Sequence, residues 1–380
     1  FVPAGITTVQ NAANKWYDPG EFVAYNGIEW TCVKEGHQTL IFSGNKNIDK
    51  PISSYFNVKT TDGLWSLLDD FKTRTGQEII AYPHHTTKNS YIQDWTYTNP
   101  AYVRMAEVSS THGECLFEQR HPLNYRGGQD PPPTYQNGTS IMDALKMGYR
   151  MTLSAASDSH DGHPGHSIAH TGAYHGHQRP YSTWLTRLDK PYSGSLTCVR
   201  AGNLTRENIF SGLRESRVFA SSDHGRPILN FTINDVDVHY NATVVVPNAT
   251  ATRNITITMM QDGNPGSSKR KSASSRVVQG WEQNWGATVE VFKNGELFNT
   301  SSISGPLTKL SILDNEPVIG ANYGYESCIE KDGEYYINEF SNNPIDPSEL
   351  NTGGVDFYLV RVICNSGRTC YIGPIWVDVA

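Results

Sequence analysis

"LWSLLDDFKTRTGQEIIAYPHH", residues 64–85, sets the reading of the first two-thirds of the chain. Its first part is amphipathic at helical spacing and predicts a helix over 64–75. "EIIAYP" (78–83) then predicts a buried strand, and two histidines stand at its end. The same alternation extends in both directions. "FVAYNGIEW" (22–30) and "HQTLIF" (37–42) read as strands upstream, and "VRMAEVSS" (103–110) and "RMTLSAAS" (150–157) downstream. Between the last two, "SIMDALKMGY" opens with the capping-box pattern Ser140-x-x-Asp143, and "TRENIFSGLRES" follows with Thr205 as N-cap. Repeated strand–helix–strand units imply a parallel sheet or barrel with its site at the strand C-terminal ends.

After about Arg226 the character changes to short alternating strands such as "ILNFTIN", "NITITMM", "ATVEVFKNGELF" and "VDFYLVRVIC". Asn294-Gly295 is a type I′ hairpin signal, and the spacing predicts a β-sandwich. The expected organisation is an α/β barrel over 1–225 followed by an all-β sandwich over 226–380. A chain of 380 residues is too long for one ordinary core and fits this division.

The formal charge of −7 argues against nucleic acid as a partner, since the only cationic cluster is Lys269-Arg270-Lys271. No apolar run approaches the ~20 residues that span a bilayer. The six cysteines form no CxxC pair, which excludes zinc-thiolate and thioredoxin-type chemistry. Cys364 and Cys370 flank a hairpin turn, "NSGRT", and are expected to form a disulfide; the competing reading is two small buried residues in adjacent strands. Sequons occur at Asn137, Asn203, Asn230, Asn241, Asn248, Asn254 and Asn299. Four of them fall between Asn230 and Asn254, and with an even cysteine count and few charged residues they point to a secreted protein carrying N-linked glycans.

Polar residues at the ends of apolar strands are where an α/β protein builds its site. Here they are Glu29 after "NGI", His84 and His85 after "IIAYP", Glu107 and His112 around "MAEVSST", and Asp158 and His160 after "LSAAS". Imidazole and carboxylate suit zinc, manganese or iron, and a carboxylate can bridge two ions that share an activated water. A lone histidine of this kind is usually a satisfied polar residue, but the coincidence at four successive strand ends is not so explained. The later histidines of "DSHDGHPGHSIAHTGAYHGH" lie among glycines and predict an irregular loop over the site.

Together "YDPGEFVAYNGIEWT", "YPHH", "AEVSSTHGE", "SAASDSHDGHPG" and "LTRENIFSGLRESRVFASSDHGRPI" resemble the polymerase-and-histidinol-phosphatase (PHP) domain, in the branch that carries a C-terminal β-sandwich. The resemblance implies a distorted (β/α)7 TIM-like barrel that holds one to three divalent ions and hydrolyses phosphoesters. By it, Glu29 is a bridging carboxylate, His84 or His85 and His112 are imidazole ligands, and Asp158 and His160 form the last D-x-H pair. His37, opening the strand after Glu29, is a poorer match. The PHP pattern also opens with an H-x-H strand, and no histidine precedes Glu29. Of the family's sites, only the one built on Glu29, His84 or His85, and His112 is then whole.

The first functional reading is a secreted metal-dependent hydrolase acting on a small phosphoester, with His163 and His166 as catalytic loop residues contacting substrate. The second is a catalytically degenerate extracellular glycoprotein that keeps the fold and works by self-assembly, as a homo-oligomer or filament.

Overall fold

Only Val33, Lys34 and Glu35 separate the first two strands, and that brevity decides the first sheet. A parallel crossover needs a dozen or more residues, whereas a short connection can only make a hairpin. In the computed structural model, β1 (Asn26–Cys32) and β2 (Gly36–Phe42) accordingly pair antiparallel, following α1 (Pro3–Lys15). The structure describes residues 3–46, 48, 52, 57–88, 91–110, 113–118, 120–125, 137–158, 195–221, 227–261, 285–365 and 369–380.

The helix expected over 64–75 is present as α2 (Thr61–Thr75). The Thr60 hydroxyl accepts from the Gly63 N–H at one end; at the other, left-handed Gly76 (φ 69°) sends its N–H to the Lys72 carbonyl. Leu64, Trp65, Leu68 and Phe71 recur at helical spacing and bury one stripe against Trp30, Leu40, Phe42 and Ile79. The chain then returns as β3 (Ile79–His84), antiparallel to β2 with His37 opposite His84, Thr39 opposite Tyr82 and Ile41 opposite Ile80. Since strand side chains alternate, the sheet has two distinct faces. One packs on α2; the other carries Glu29, His37, Thr39, Ile41, Ile80, Tyr82 and His84.

A second small sheet comprises β4 (Met105–Ser110), β5 (Gly113–Glu114) and β6 (Thr152–Ala155), with β4 parallel to β6 and antiparallel to β5. Before β6 comes α3 (Ile141–Lys146), whose capping box between Ser140 and Asp143 forms as the sequence predicts. β7 (Leu196–Val199), α4 (Arg206–Arg214) and β8 (Val218–Ser221) follow, with Thr205 capping α4.

The remaining strands are β9 (Ile228–Ile233), β10 (Val236–Asp237), β11 (Thr243–Val246), β12 (Arg253–Met260), β13 (Gly286–Lys293), β14 (Glu296–Ser304) and β15 (Leu307–Asp314). After them come β16 (Ile329–Lys331), β17 (Glu334–Tyr336), β18 (Asp356–Cys364) and β19 (Thr369–Val379). One sheet of four strands runs β10-β9-β12-β15; one of seven runs β14-β13-β18-β19-β8-β7, with β11 parallel to β19. Ile255 and Ile257, Val289 and Val291, and Val360 and Val362 share a core between these sheets. Asn294 (φ 52°) and Gly295 (φ 89°) make the β13–β14 turn, where both residues need the left-handed region.

The barrel expected from the strand–helix alternation, a distorted (β/α)7 TIM-like one by the resemblance to PHP domains, is not formed. Among the described residues the strands lie in several separate sheets, only four helices are present, and the β1–β2–β3 and β7–β8 pairings are antiparallel. The parallel pairings named above are β4 with β6 and β11 with β19. The alternation was real, but a helix between two strands can return the chain antiparallel as readily as cross it over. β7 and β8 also join the sheet of the C-terminal strands through β19, so that sheet crosses the 225/226 boundary. The buried Arg361 of β18 extends the link: its Nη1 donates to Glu114 Oε1 of β5 at 2.9 Å and its Nε to Glu290 Oε2 at 2.6 Å.

The expected Cys364–Cys370 disulfide is not formed: both residues are buried, and no bridge joins them. Register explains this. Cys370 stands opposite Val362, so Cys364 is its diagonal neighbour. Diagonal side chains on adjacent strands are ~7–8 Å apart, beyond the ~3.8 Å between the Cβ atoms of a bridge. Cys370 Sγ lies instead 3.5 Å from Ser221 Oγ.

Candidate metal centre

Three strands bring the first ligands together. Glu29 of β1 and His37 of β2 are diagonal neighbours across the hairpin, and His84 of β3 stands directly opposite His37. By alternation His85 should point to the opposite face. It does not, because it takes a left-handed backbone (φ 39°), a costly conformation for a non-glycine residue, and its ring turns back onto the others. Glu29, His37, His84 and His85 each offer a ligand atom, and these atoms all lie within 4.8 Å of one another.

Glu29 Oε1 is 3.0 Å from His37 Nδ1 and 3.2 Å from His84 Nε2. The three histidines are at most 4% exposed, while the Glu29 side chain keeps 41% of its surface. Their ring centroids are 3.9 Å apart for His84–His85, 4.5 Å for His37–His85 and 5.5 Å for His37–His84. Tyr91 closes one side, its ring 4.1 Å from that of His37. Behind His84 stands Glu107 of β4, buried, with Oε1 3.9 Å from His84 Nδ1 and accepting from the His85 N–H at 3.3 Å.

Burial would raise the Glu29 carboxyl, but hydrogen bonds from His37 and His84 outweigh it and hold the group well below the usual carboxylate range. His84 shows the reciprocal balance. Burial lowers it, yet the Glu29 hydrogen bond and the charges of Glu107, Asp158 and Glu29 push it up to about 9. Burial lowers His37. Glu107 is pushed up to about 7, chiefly by burial, with His84 opposing and Asp158 reinforcing. The Asp158 carboxylate, just past β6 and at φ 48°, is thus felt by both His84 and Glu107.

The donor set fits a borderline divalent cation. Three buried nitrogens and one carboxylate are the chemistry that zinc, manganese and iron share. His37 Nε2 is buried and makes no hydrogen bond among the described residues, whereas His84 Nε2 has only the 3.2 Å contact with Glu29. An orphaned buried imidazole nitrogen is costly, and a cation would satisfy it.

Of the ligands expected from sequence, the structure brings Glu29, His84 and His85 together and sets Asp158 within electrostatic reach. His84 and His85 need not be chosen between, since both face the cluster. His112, His160, His163 and His166 lie outside the described residues. His37, a poorer match by sequence because strand-end logic looks only past a strand's C-terminal end, joins the cluster; the short 33–35 connection is the signal that it lies beside Glu29. The sequon residues Asn137, Asn203, Asn241, Asn248 and Asn254 are exposed, whereas Asn230 and Asn299 are half-buried. Asn230 accepts from Arg200, and Asn299 Oδ1 from Ser301 at 2.8 Å.

The profile of a family described as a protein of unknown function (DUF3604) matches residues 6–94, a stretch that contains Glu29, His37, His84 and His85. Uncharacterized proteins of Chlamydia muridarum (strain MoPn / Nigg) and Chlamydia trachomatis serovar D are each 19% identical over 385 residues. The alignment covers 100% of this chain and 50% of each relative, so the chain spans about half the length of the curated relatives it matches.

Proposed function

We propose that this chain is a metal-dependent hydrolase of phosphoesters in which Glu29, His37, His84 and His85 hold a divalent cation. One observation carries the reading: four ligand atoms from three strands and a strained turn lie within 4.8 Å of one another, with the His37 Nε2 left without a hydrogen bond among the described residues. A bound divalent ion supplies positive charge that polarises a phosphoryl oxygen and activates water near neutral pH.

The chain's own groups do the rest. His84 Nδ1 faces Glu107 Oε1, so Nε2, beside Glu29 Oε1, is the nitrogen that would hold a cation. The His85 N–H holds the same Glu107 oxygen, so one carboxyl orients two neighbouring ligands. Partly exposed Glu29 opens the cluster to solvent and to a phosphoester, while the buried imidazoles wall off the other sides. The sequence resemblance to PHP phosphoesterases supports the choice of substrate class, and the exposed sequons support secretion of such an enzyme.

Metal content by plasma mass spectrometry, read beside hydrolysis of bis(4-nitrophenyl) phosphate, tests the reading. Reconstitution with zinc, manganese or iron is expected to give at least one ion per chain and chelator-sensitive hydrolysis, both lost in His84→Ala. Retention of less than one ion per chain, or hydrolysis that survives His84→Ala, overturns it.

A further inference from the structure

The sheet face that carries the cluster does not end there. Moving from His84 two residues back along β3 reaches Tyr82, opposite Thr39, and two more reach Ile80, opposite Ile41. At about 3.3 Å per residue, the Tyr82 row lies ~7 Å from the His84 row. Tyr82 and Ile41 form part of the wall of a cavity of about 230 Å³, which Met105, Ala155, Ala156, Leu196 and Leu213 complete as an apolar lining. The cavity and the cluster are joined a second time, since Ala156 and Ser157 of the cavity run directly into Asp158.

Two hydroxyls in this wall are already engaged. Ser195 Oγ is 3.0 Å from Ser109 Oγ, and Thr197 Oγ1 donates to the Ala155 carbonyl at 2.8 Å while accepting from the Ala155 N–H at 3.0 Å. The cavity therefore offers an occupant mainly hydrocarbon surface. A charged or sugar-like group would lose its water here and gain few hydrogen bonds in exchange.

We propose that this cavity is the subsite for an apolar substituent of the phosphoester, so that the substrate class is a phosphoester bearing a short hydrocarbon chain. The proposal rests on the metal-centre reading. The phosphoryl group sits at Glu29, His37, His84 and His85, and the hydrocarbon crosses the Tyr82–Thr39 row to lie against Ile41, Ala156 and Leu196. Polar diesters whose two arms are both hydrophilic are then poor substrates.

The test is calorimetric binding of methylphosphonate and hexylphosphonate, which are not hydrolysed, to protein whose metal content has been measured in the same preparation. Each methylene withdrawn from water tightens binding about fourfold, so two or three seated methylenes predict hexylphosphonate binding at least about tenfold tighter. Ala156→Leu, which fills the cavity, is expected to bring the two affinities to within about threefold by the same reasoning. If that variant does not fold, Leu196→Ala at a half-exposed wall position is expected to lower the ratio by a smaller factor. Equal affinities in metal-loaded wild type overturn the subsite and leave the metal centre standing. A hexyl preference unchanged in the folded variants also overturns it, because the chain then binds elsewhere. Failure of metal-loaded protein to bind either ligand overturns both.

Discussion

His37→Phe separates a metal ligand from a merely packed histidine. In the metal-free chain, His37 Nε2 is buried with no hydrogen-bond partner among the described residues, and such a group costs ~1–3 kcal/mol. Phenylalanine removes that cost and keeps a ring against Tyr91 and His85, now at 4.1 and 4.5 Å. It forfeits the 3.0 Å contact between His37 Nδ1 and Glu29, a charge-assisted bond worth ~1.5–3 kcal/mol. Water recovers much of that, because the Glu29 side chain is 41% exposed. The two changes nearly cancel, so in chelator the variant should lie within about 1 kcal/mol of wild type.

Added metal should then pull the two proteins apart. At a free concentration one hundred times its dissociation constant, a cation stabilises the wild type by about 2.7 kcal/mol. At ~1.3 °C per kcal/mol for a chain of 380 residues, Tm rises by about 3 °C. A site weakened a hundredfold by loss of one imidazole gains only about 0.4 kcal/mol at the same concentration, a shift of under ~1 °C. Differential scanning fluorimetry in chelator, zinc and manganese reads all of these values. Three results would refute the reasoning: no metal shift in wild type, an undiminished shift in the variant, or a metal-free penalty above about 2 kcal/mol.

Two further predictions concern the buried ionic groups of the C-terminal strands. Arg361→Met strands the buried Glu114 carboxylate without its cation and should cost ~3–5 kcal/mol in urea unfolding, of which Arg361→Met/Glu114→Gln recovers part by leaving no buried charge. A double variant no more stable than the single one would contradict this. Asp314 is fully buried among Tyr358 Oη at 2.5 Å, Arg253 Nη2 at 2.8 Å and Lys293 Nζ at 3.0 Å. Burial works to raise its carboxyl, but the Tyr358 and Arg253 bonds prevail and depress it. A depressed folded value gives stability that is present above the unfolded value of ~3.9 and lost as pH falls through the folded one. The urea midpoint should therefore fall on the acid side in wild type and less steeply in Asp314→Asn; equal acid slopes would contradict the assignment.

Local structure was legible because its causes are local. The stripe of Leu64, Leu68 and Phe71, the Ser140–Asp143 box and the Asn294-Gly295 turn each depend on residues within a turn or two of one another. Three of the four cluster residues could be read for the same reason, since Glu29, His84 and His85 stand in or just past apolar runs. Strand direction could not be read this way. Whether the strand after a helix returns parallel or antiparallel depends on which face of the helix is buried and against what, and neither appears in the alternation itself.

The sequence by itself determined which segments become strands and helices and which residue types lie near their ends, because side-chain periodicity and capping act over a few residues. Only the tertiary structure decided that β1, β2 and β3 form an antiparallel sheet, not part of a barrel, and that His37 meets His84 across it. It also decided that His85 turns back through a left-handed backbone to join them and that Cys364 and Cys370 miss one another by register. The physical reason is that side-chain alternation assigns a residue to a face, whereas pairing direction and register assign it a neighbour. A metal centre or a disulfide is a matter of neighbours.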